Sequence, residues 1–470
     1  MSKLSRTQRG GVPISDPHPW EGLTRMQPQA AGLDIGAHEI MACAPGPNDT
    51  QDVRAFGTYT ADLHALVAWL LERHVQTVAM ESTGVYWIPV FETLEAHGLR
   101  GCLIRATAIH RIPGRKSDVL DCQWIQTLHT YGLLADSFRP DADLIALRTL
   151  LRHRAQLIEH RSPHTRSVPM QKALTQTAQR IQLAQALSDV TGQTGQAIIR
   201  AIVAGERDPH RLAALRNYRC QKDAHEIALA LTGTWRAEHV FVLTQSLECF
   251  DFYTRQLNAC DAEIERLYAS LRPAWGMPEP PLPPQKPHSH NKNTRPDTPL
   301  RNQLRRLTGV DLVAVPGLSV SLAQTIVAEV GTTLDQFPDA KHFCSWLGLA
   351  PHNDISGGKV LKSRTLKNHN RAGQAFRQAA AALMRAKCHF GAYYRRKKSQ
   401  IGPAQAAVAT AHKIARTVYH MLKFKVEYRA MSADEYDQQF EARELKRLQH
   451  KAAHFGLSLV PLTAAKVAVS

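Results

Sequence analysis

No two cysteines in the 470-residue chain are spaced as CxxC, and none stands at zinc-ligand distance from a histidine pair. That spacing excludes the common structural zinc modules. The eight scattered thiols (Cys43, Cys102, Cys122, Cys220, Cys249, Cys260, Cys344, Cys388) read as reduced cysteines of a cytoplasmic protein. No stretch approaches the ~18 consecutive apolar residues of a membrane span. Residues 1–29 are polar and lack the apolar core of a signal peptide, so no membrane partner is expected. Acidic residues are scarce where basic ones crowd. Between Lys341 and Ala430 stand 18 Lys and Arg, but only Asp354 and Glu427 carry negative charge.

That window holds nearly the whole net charge of +17, from 58 basic and 41 acidic residues. Solubility alone does not require one sign packed into one segment. A polyanion does, because each phosphate neutralised releases counterions, so nucleic acid is the expected partner. With 44% apolar and 21% charged residues the composition is that of an ordinary globular protein. The length exceeds what one compact core organises.

After a loose polar tail (1–29), residues 30–139 alternate apolar strand candidates (32–35, 40–44, 53–59, 75–80, 101–105) with helical stretches (63–73, 86–97, 118–133). This pattern predicts a mixed α/β sheet. From 140 to 272 the apolar spacing becomes helical, with a long amphipathic segment over 240–271 that suits a helical hairpin or coiled coil. Pro163 and Pro169 are expected to break the first helix of that region. Residues 273–303 form a linker, with nine prolines between 273 and 299. A mostly helical domain is expected over 304–430. It opens on Val315-Pro316-Gly317-Leu318-Ser319 between two apolar helices, like a helix-hairpin-helix, with Ser319 where a second glycine is usual. Residues 431–470 read as a peripheral tail.

Two constellations carry chemistry. Asp34 lies inside an apolar strand (Gly-Leu-Asp-Ile-Gly), where a carboxylate is costly without a partner. The flanking glycines there would let a ligand approach the backbone. Glu81 ends another apolar strand, and Asp118 and Asp121, three apart, share one helix face. Four carboxylates from two strand ends and a helix offer hard oxygen ligands for Mg²⁺ or Mn²⁺, the ions of phosphodiester chemistry. Taken singly, each is more often a helix cap or a solvated end.

The second constellation is Ile-Ser-Gly-Gly-Lys, with Ser356 on an open turn followed by Lys359, Lys362, Arg364, Lys367 and Arg371. Its hydroxyl could attack a phosphodiester with the cations stabilising the charged transition state, or the segment is a turn beside phosphate clamps. Arg395, Arg396, Lys397 and Lys398 add a second basic run. The adjacent Tyr393 and Tyr394 read as stacking or packing groups or, alternatively, a recombinase nucleophile.

The order Gly-Leu-Asp-Ile-Gly, Glu-Ser-Thr-Gly-Val-Tyr-Trp, Pro-Gly-Arg-Lys-Ser-Asp-Val-Leu-Asp, Val-Pro-Gly, then Gly-Leu-Ala-Pro with Ile-Ser-Gly-Gly-Lys, resembles the DEDD transposases of bacterial insertion sequences. Piv-type DNA invertases are related to them. The resemblance covers roughly residues 30–425. It implies an RNase H-like (RuvC-like) α/β domain, an all-α coiled-coil insert, and a mostly α C-terminal transposase domain. By the same resemblance Asp34, Glu81, Asp118 and Asp121 are the metal ligands, and Ser356 is the nucleophile that links transiently to DNA. It also implies a homo-oligomer (dimer or tetramer) acting on element ends and target DNA, and in some members a non-coding bridge RNA as guide. The alternative activities are a RuvC-like nuclease or resolvase that uses metal-activated water, and a nucleic-acid-binding protein without catalysis.

Overall fold

The structure, a computed structural model, describes residues 23–82, 84–104, 118–139, 142–165, 187, 192–218, 220–233, 235–271, 297–365 and 370–459. The chain divides into two compact units, Met1–Arg139 and Pro140–Ser470.

The first unit is built on a five-stranded sheet. Strands β1 (Ala30–Ile35), β2 (Ile40–Pro45) and β3 (Gln51–Phe56) run antiparallel. They are followed by helix α1 (Thr60–Glu72), β4 (Thr77–Glu81), α2 (Trp87–Ala96), β5 (Arg100–Ile104) and α3 (Asp118–Thr130). The spatial order is β3-β2-β1-β4-β5, with β4 and β5 parallel to β1. Each predicted strand and helix of this region is present, shifted by at most a few residues.

The two faces of the sheet follow from strand alternation. Leu33, Val78, Met80 and Leu103 point to one face, where Leu66, Leu70, Phe91 and Leu94 of α1 and α2 cover them. Gly32, Asp34, Ala79 and Glu81 fall on the other face, which α3 covers through Cys122 and Ile125. The residues under α3 are small, so the helix lies unusually close to β1. A Cβ on Gly32 would come within 2.5 Å of the Cys122 carbonyl oxygen. Gln126 of α3 is buried and ties the helix down: its amide donates to Ala30 O (3.3 Å), and its oxygen accepts from Gln51 Nε2 (2.6 Å).

In the second unit, α4 (Ala142–Thr165) leads to a small cluster formed by α5 (Gln193–Val203), α6 (Pro209–Ala214), α7 (Ala224–Leu231) and the start of α8 (Ala237–Ser270). Helices α4 and α8 pack antiparallel. Arg154 pairs with Asp261, and seven residues on Arg161 donates to Thr254, so one helix advances a heptad as the other retreats by one. The expected helical region is thus present as an antiparallel helix pair, with α5, α6 and α7 lying between its two members in the chain. Pro163 does not end α4, contrary to expectation, because the helix continues to Thr165. So close to the C-terminus a missing N–H removes a single ladder bond. Pro169 lies outside the described residues.

The helical remainder comprises α9 (Asp297–Thr308), α10 (Val320–Val330), α11 (Ala340–Trp346), α12 (Arg371–Ala382), α13 (His389–Ile401), α14 (Pro403–Phe424) and α15 (Ala433–His454). Val310, Ile326, Phe343, Phe376, Ile414 and Leu422 are at the centre of its core. Helix α9 begins inside the span read as linker. Gly317 adopts φ +90° between α9 and α10, and Ser319 caps α10 by accepting from Leu322 N, which explains a serine at that place. Two features went unexpected. Residues 351–365 form an antiparallel hairpin, β6 (Pro351–Ser356) and β7 (Lys359–Thr365), and the presumed tail contains the 22-residue helix α15.

Candidate active site

Acidic side chains gather at the C-terminal end of β1, the end of a parallel sheet where loops and helix starts converge. Asp34 projects from β1 on the α3 face. Because Gly32, two residues earlier, lets α3 lie against the strand, the first turn of that helix brings Asp118 and Asp121 alongside. Ligand oxygens of the three all lie within 4.8 Å of one another. Among the described residues no other set of three or more His, Cys, Asp or Glu side chains converges in this way. Three carboxylates so close repel unless a cation sits among them, and their hard oxygens suit a small divalent ion. Asp118 and Asp121 also sit where the positive end of the α3 dipole favours negative charge.

Glu81 stands at the end of β4, one position beyond the last β1–β4 pair, Leu33 and Met80. It shares the sheet end and face with Asp34, but its carboxylate is not part of the three-acid group. The glycines flanking Asp34 have other duties than admitting a ligand. Gly32 accommodates the α3 backbone, and Gly36 N donates to Glu39 O (2.9 Å) to close the β1–β2 turn.

Farther along α3, burial lowers the pKa of His129 to about 4, with Arg100 adding to the effect, and its ring nitrogen is 2.9 Å from Thr77 Oγ1. Gln126 and Gly32 are positioning residues that sequence reasoning missed. The available signal was a glycine two positions before a strand-embedded aspartate, on the same face.

In the second unit, Ser356 is the last residue of β6, opposite Lys359. Gly357 and Gly358 join the strands with φ of +56° and +75°, the two left-handed positions of a type I′ turn. Asp354 pairs with Lys362 and Ile355 with Val360, which leaves Leu361 as a bulge. Without it, strict alternation would put Lys359 and Lys362 on opposite faces. With it, Ser356, Lys359, Lys362 and Arg364 share one face. All four are exposed. Lys367 lies outside the described residues. Arg371 is exposed at the first position of α12, where the helix dipole disfavours a cation.

The basic run on α13 does not form one surface. Arg395 donates to the carbonyls of Ala386 (3.0 Å) and Met384 (3.5 Å). Arg396 is held under α15, with its guanidinium over the rings of Tyr436 and Phe440 and a bond to the Tyr436 hydroxyl. Lys397 reaches Gln400, and Lys398 is exposed. Tyr394 is 2% exposed. Tyr393 is half-buried against Tyr436, and its phenol is held above its usual pKa, mainly by burial. Both therefore act as packing groups. The neighbouring Lys413 lies 4.4 Å from the Tyr436 ring centroid, with its pKa lowered to about 8 by burial and the nearby arginines.

Two family models match the chain: one for DEDD transposases of the IS110 type over residues 31–179, and one described as transposase IS116/IS110/IS902 family over residues 311–395. No curated protein matches it. The first match spans Asp34, Glu81, Asp118 and Asp121, and the second spans the hairpin with Ser356. Their order along the chain is the order of the two sites. The chain belongs to the IS110/IS116/IS902 family of transposases.

Proposed function

We propose that this transposase cuts and rejoins DNA by metal-assisted serine recombination. Residues 30–139 are the catalytic domain, with an RNase H-like (RuvC-like) fold. Residues 304–430 form the domain that supplies the nucleophile and much of the DNA grip. The 3-2-1-4-5 strand order, with one antiparallel hairpin and two parallel strands, supports that fold. The observation that carries the functional reading is the convergence of Asp34, Asp118 and Asp121.

These acids, with Glu81 on the same sheet end, would hold Mg²⁺ or Mn²⁺, which supplies Lewis-acid stabilisation of the phosphodiester oxygens. Ser356 Oγ attacks the phosphorus. A new P–O bond forms to serine, and the bond to one deoxyribose oxygen breaks, releasing that strand end as a free hydroxyl. The hydroxyl of another strand end then attacks the phosphoserine, regenerates Ser356 and leaves the strands exchanged. Lys359, Lys362 and Arg364, on the serine's own face, offset the charge that develops on phosphorus oxygens. Lys367, Arg371, Arg395, Lys397 and Lys398 extend the phosphate-binding surface, whereas Arg396, expected from the sequence to join them, is held against the rings of α15. The reading includes a homo-oligomer acting on element ends and target, with the basic surface also available to an element-encoded guide RNA.

Denaturing electrophoresis after incubation with element-end DNA and Mg²⁺ tests the chemistry. A covalent protein–DNA adduct is expected in wild type and in Tyr394→Phe, and is absent in Ser356→Ala. Cleavage without an adduct in the wild type would establish hydrolysis by activated water instead.

A further inference from the structure

The Val-Tyr-Trp half of the Glu-Ser-Thr-Gly-Val-Tyr-Trp motif takes no part in the chemistry above, yet its Val85 and Tyr86 line a cavity. This cavity, about 280 Å³, lies in the first unit between Ala37, Thr58, Leu63, Val85, Tyr86 and Pro89. Its place in the fold is specific. Ala37 belongs to the turn that follows β1, three residues past Asp34, and Val85 and Tyr86 follow β4, just past Glu81. The cavity therefore opens at the same sheet end as the acids. It lies on the opposite side of the sheet, among the residues that pack with α1 and α2.

Its walls are mostly apolar, with the Thr58 hydroxyl beside them donating to Ala37 O (3.5 Å). Tyr86 is 52% exposed and Val85 66%, so an aromatic ring and an apolar side chain stand open to solvent together at the cavity. Trp87, edge-on to Phe91 at 5.9 Å, anchors the start of α2 so that Tyr86 is presented from a fixed base. The volume falls just under the range of about 300–1,000 Å³ that holds drug-sized ligands, which suits a single planar heterocycle.

We infer that this cavity receives one unstacked nucleobase of the DNA strand whose phosphate lies at the acidic edge, with Tyr86 as its stacking platform. The inference rests on the reading of that edge as the place of phosphodiester chemistry. Base–aromatic stacking tolerates any base and needs an exposed ring beside an apolar wall, which Tyr86 and Val85 provide. A neighbouring base held over the edge of the sheet also fixes the register of the phosphate over Asp34, as chemistry on one chosen bond requires.

The full-length protein, incubated without divalent ion with a single-stranded oligonucleotide of 5-iododeoxyuridine, is irradiated and its peptides are mapped. A crosslink at Tyr86 is expected. Tyr86→Ala is expected to lose it and to bind the same oligonucleotide more weakly, by about five-fold to about a hundred-fold. Tyr86→Phe keeps the ring and is expected to keep the affinity, whereas a merely structural tyrosine would show its effect in thermal stability. Crosslinks confined to other residues, or unchanged binding by Tyr86→Ala, overturn the inference. The readout needs no cleavage. A Tyr86 crosslink therefore supports the base pocket even if Ser356→Ala still forms an adduct, and its absence sinks the pocket even if the serine chemistry stands.

Discussion

Replacing Gly32 by alanine adds one carbon, and the structure shows where it would go. The new Cβ would lie 2.5 Å from Cys122 O, 2.9 Å from Gln126 Cα and closer still to the Gln126 nitrogen. All three are backbone atoms of α3, so no side-chain rotation relieves the overlap. Ordinary carbon contacts need about 3.5 Å, so the helix must withdraw from β1 by about 1 Å. Overpacking of this kind costs roughly 1–3 kcal/mol of stability. The larger consequence is at the site, because Asp118 and Asp121 ride on the first turn of the displaced helix while Asp34 stays on the strand. A misplacement of about 1 Å at a catalytic constellation costs on the order of a hundred-fold in rate.

The assay is single-turnover cleavage of element-end DNA across a Mg²⁺ titration, with thermal melting in parallel. Leu94→Ala serves as the control. It is fully buried on the opposite face of the sheet and should lose about 2–5 kcal/mol without moving the acids. Gly32→Ala is expected to fold, to cleave on the order of a hundred-fold more slowly and to require more metal. Leu94→Ala should keep the wild-type metal dependence below its melting temperature. If Gly32→Ala cleaves at the wild-type rate with an unshifted metal titration, the argument that the close approach of α3 builds the acidic site is refuted.

The basic residues separate by the same reasoning. Replacing Lys359, Lys362 and Arg364 together by glutamine should flatten the salt dependence of DNA binding by about 2–3 in log–log slope, at roughly 0.7–0.9 per phosphate contact. Arg396→Gln should lower the melting temperature through loss of its packing under α15 and leave the slope nearly unchanged. Reversed outcomes would place the phosphate contacts on α13. His129 predicts a pH effect. Its pKa is about 4 in the folded protein and near 6.5 unfolded, so the unfolded chain binds the extra proton between those values. Stability should be complete above about pH 6.5 and fall as pH drops toward 4, by an amount on the order of 3 kcal/mol at most. His129→Gln should flatten that fall in denaturant titrations at several pH values, and an unchanged profile would exclude His129 as its source.

What the sequence disclosed and what it withheld divide along physical lines. Asp34 was legible because a charge in the middle of Ala-Ala-Gly-Leu-Asp-Ile violates the apolar pattern around it, and Asp118 with Asp121 because their spacing is that of one helix face. The role of Gly32 was hidden, because its reason is a contact with Gln126, 94 positions away, and glycine looks alike whether it admits a ligand, a turn or a helix. The β6–β7 hairpin escaped notice for a local reason. Its Gly-Gly turn was visible, but the bulge at Leu361 breaks the alternation that marks a strand. The same bulge returns Lys362 and Arg364 to the face of Ser356.

The run Arg395–Lys398 misled in the opposite sense. Four adjacent cations look like one patch in a linear sequence, but successive residues of a helix point about 100° apart. Arg395, though exposed, folds back on backbone carbonyls, and Arg396 turns under the aromatic rings of α15, whose helix was not foreseen. Charge in sequence thus locates a nucleic-acid surface only to the resolution of one helical turn or one strand register. Below that scale it is the bulge and the helix phase that decide which cations stand beside the serine.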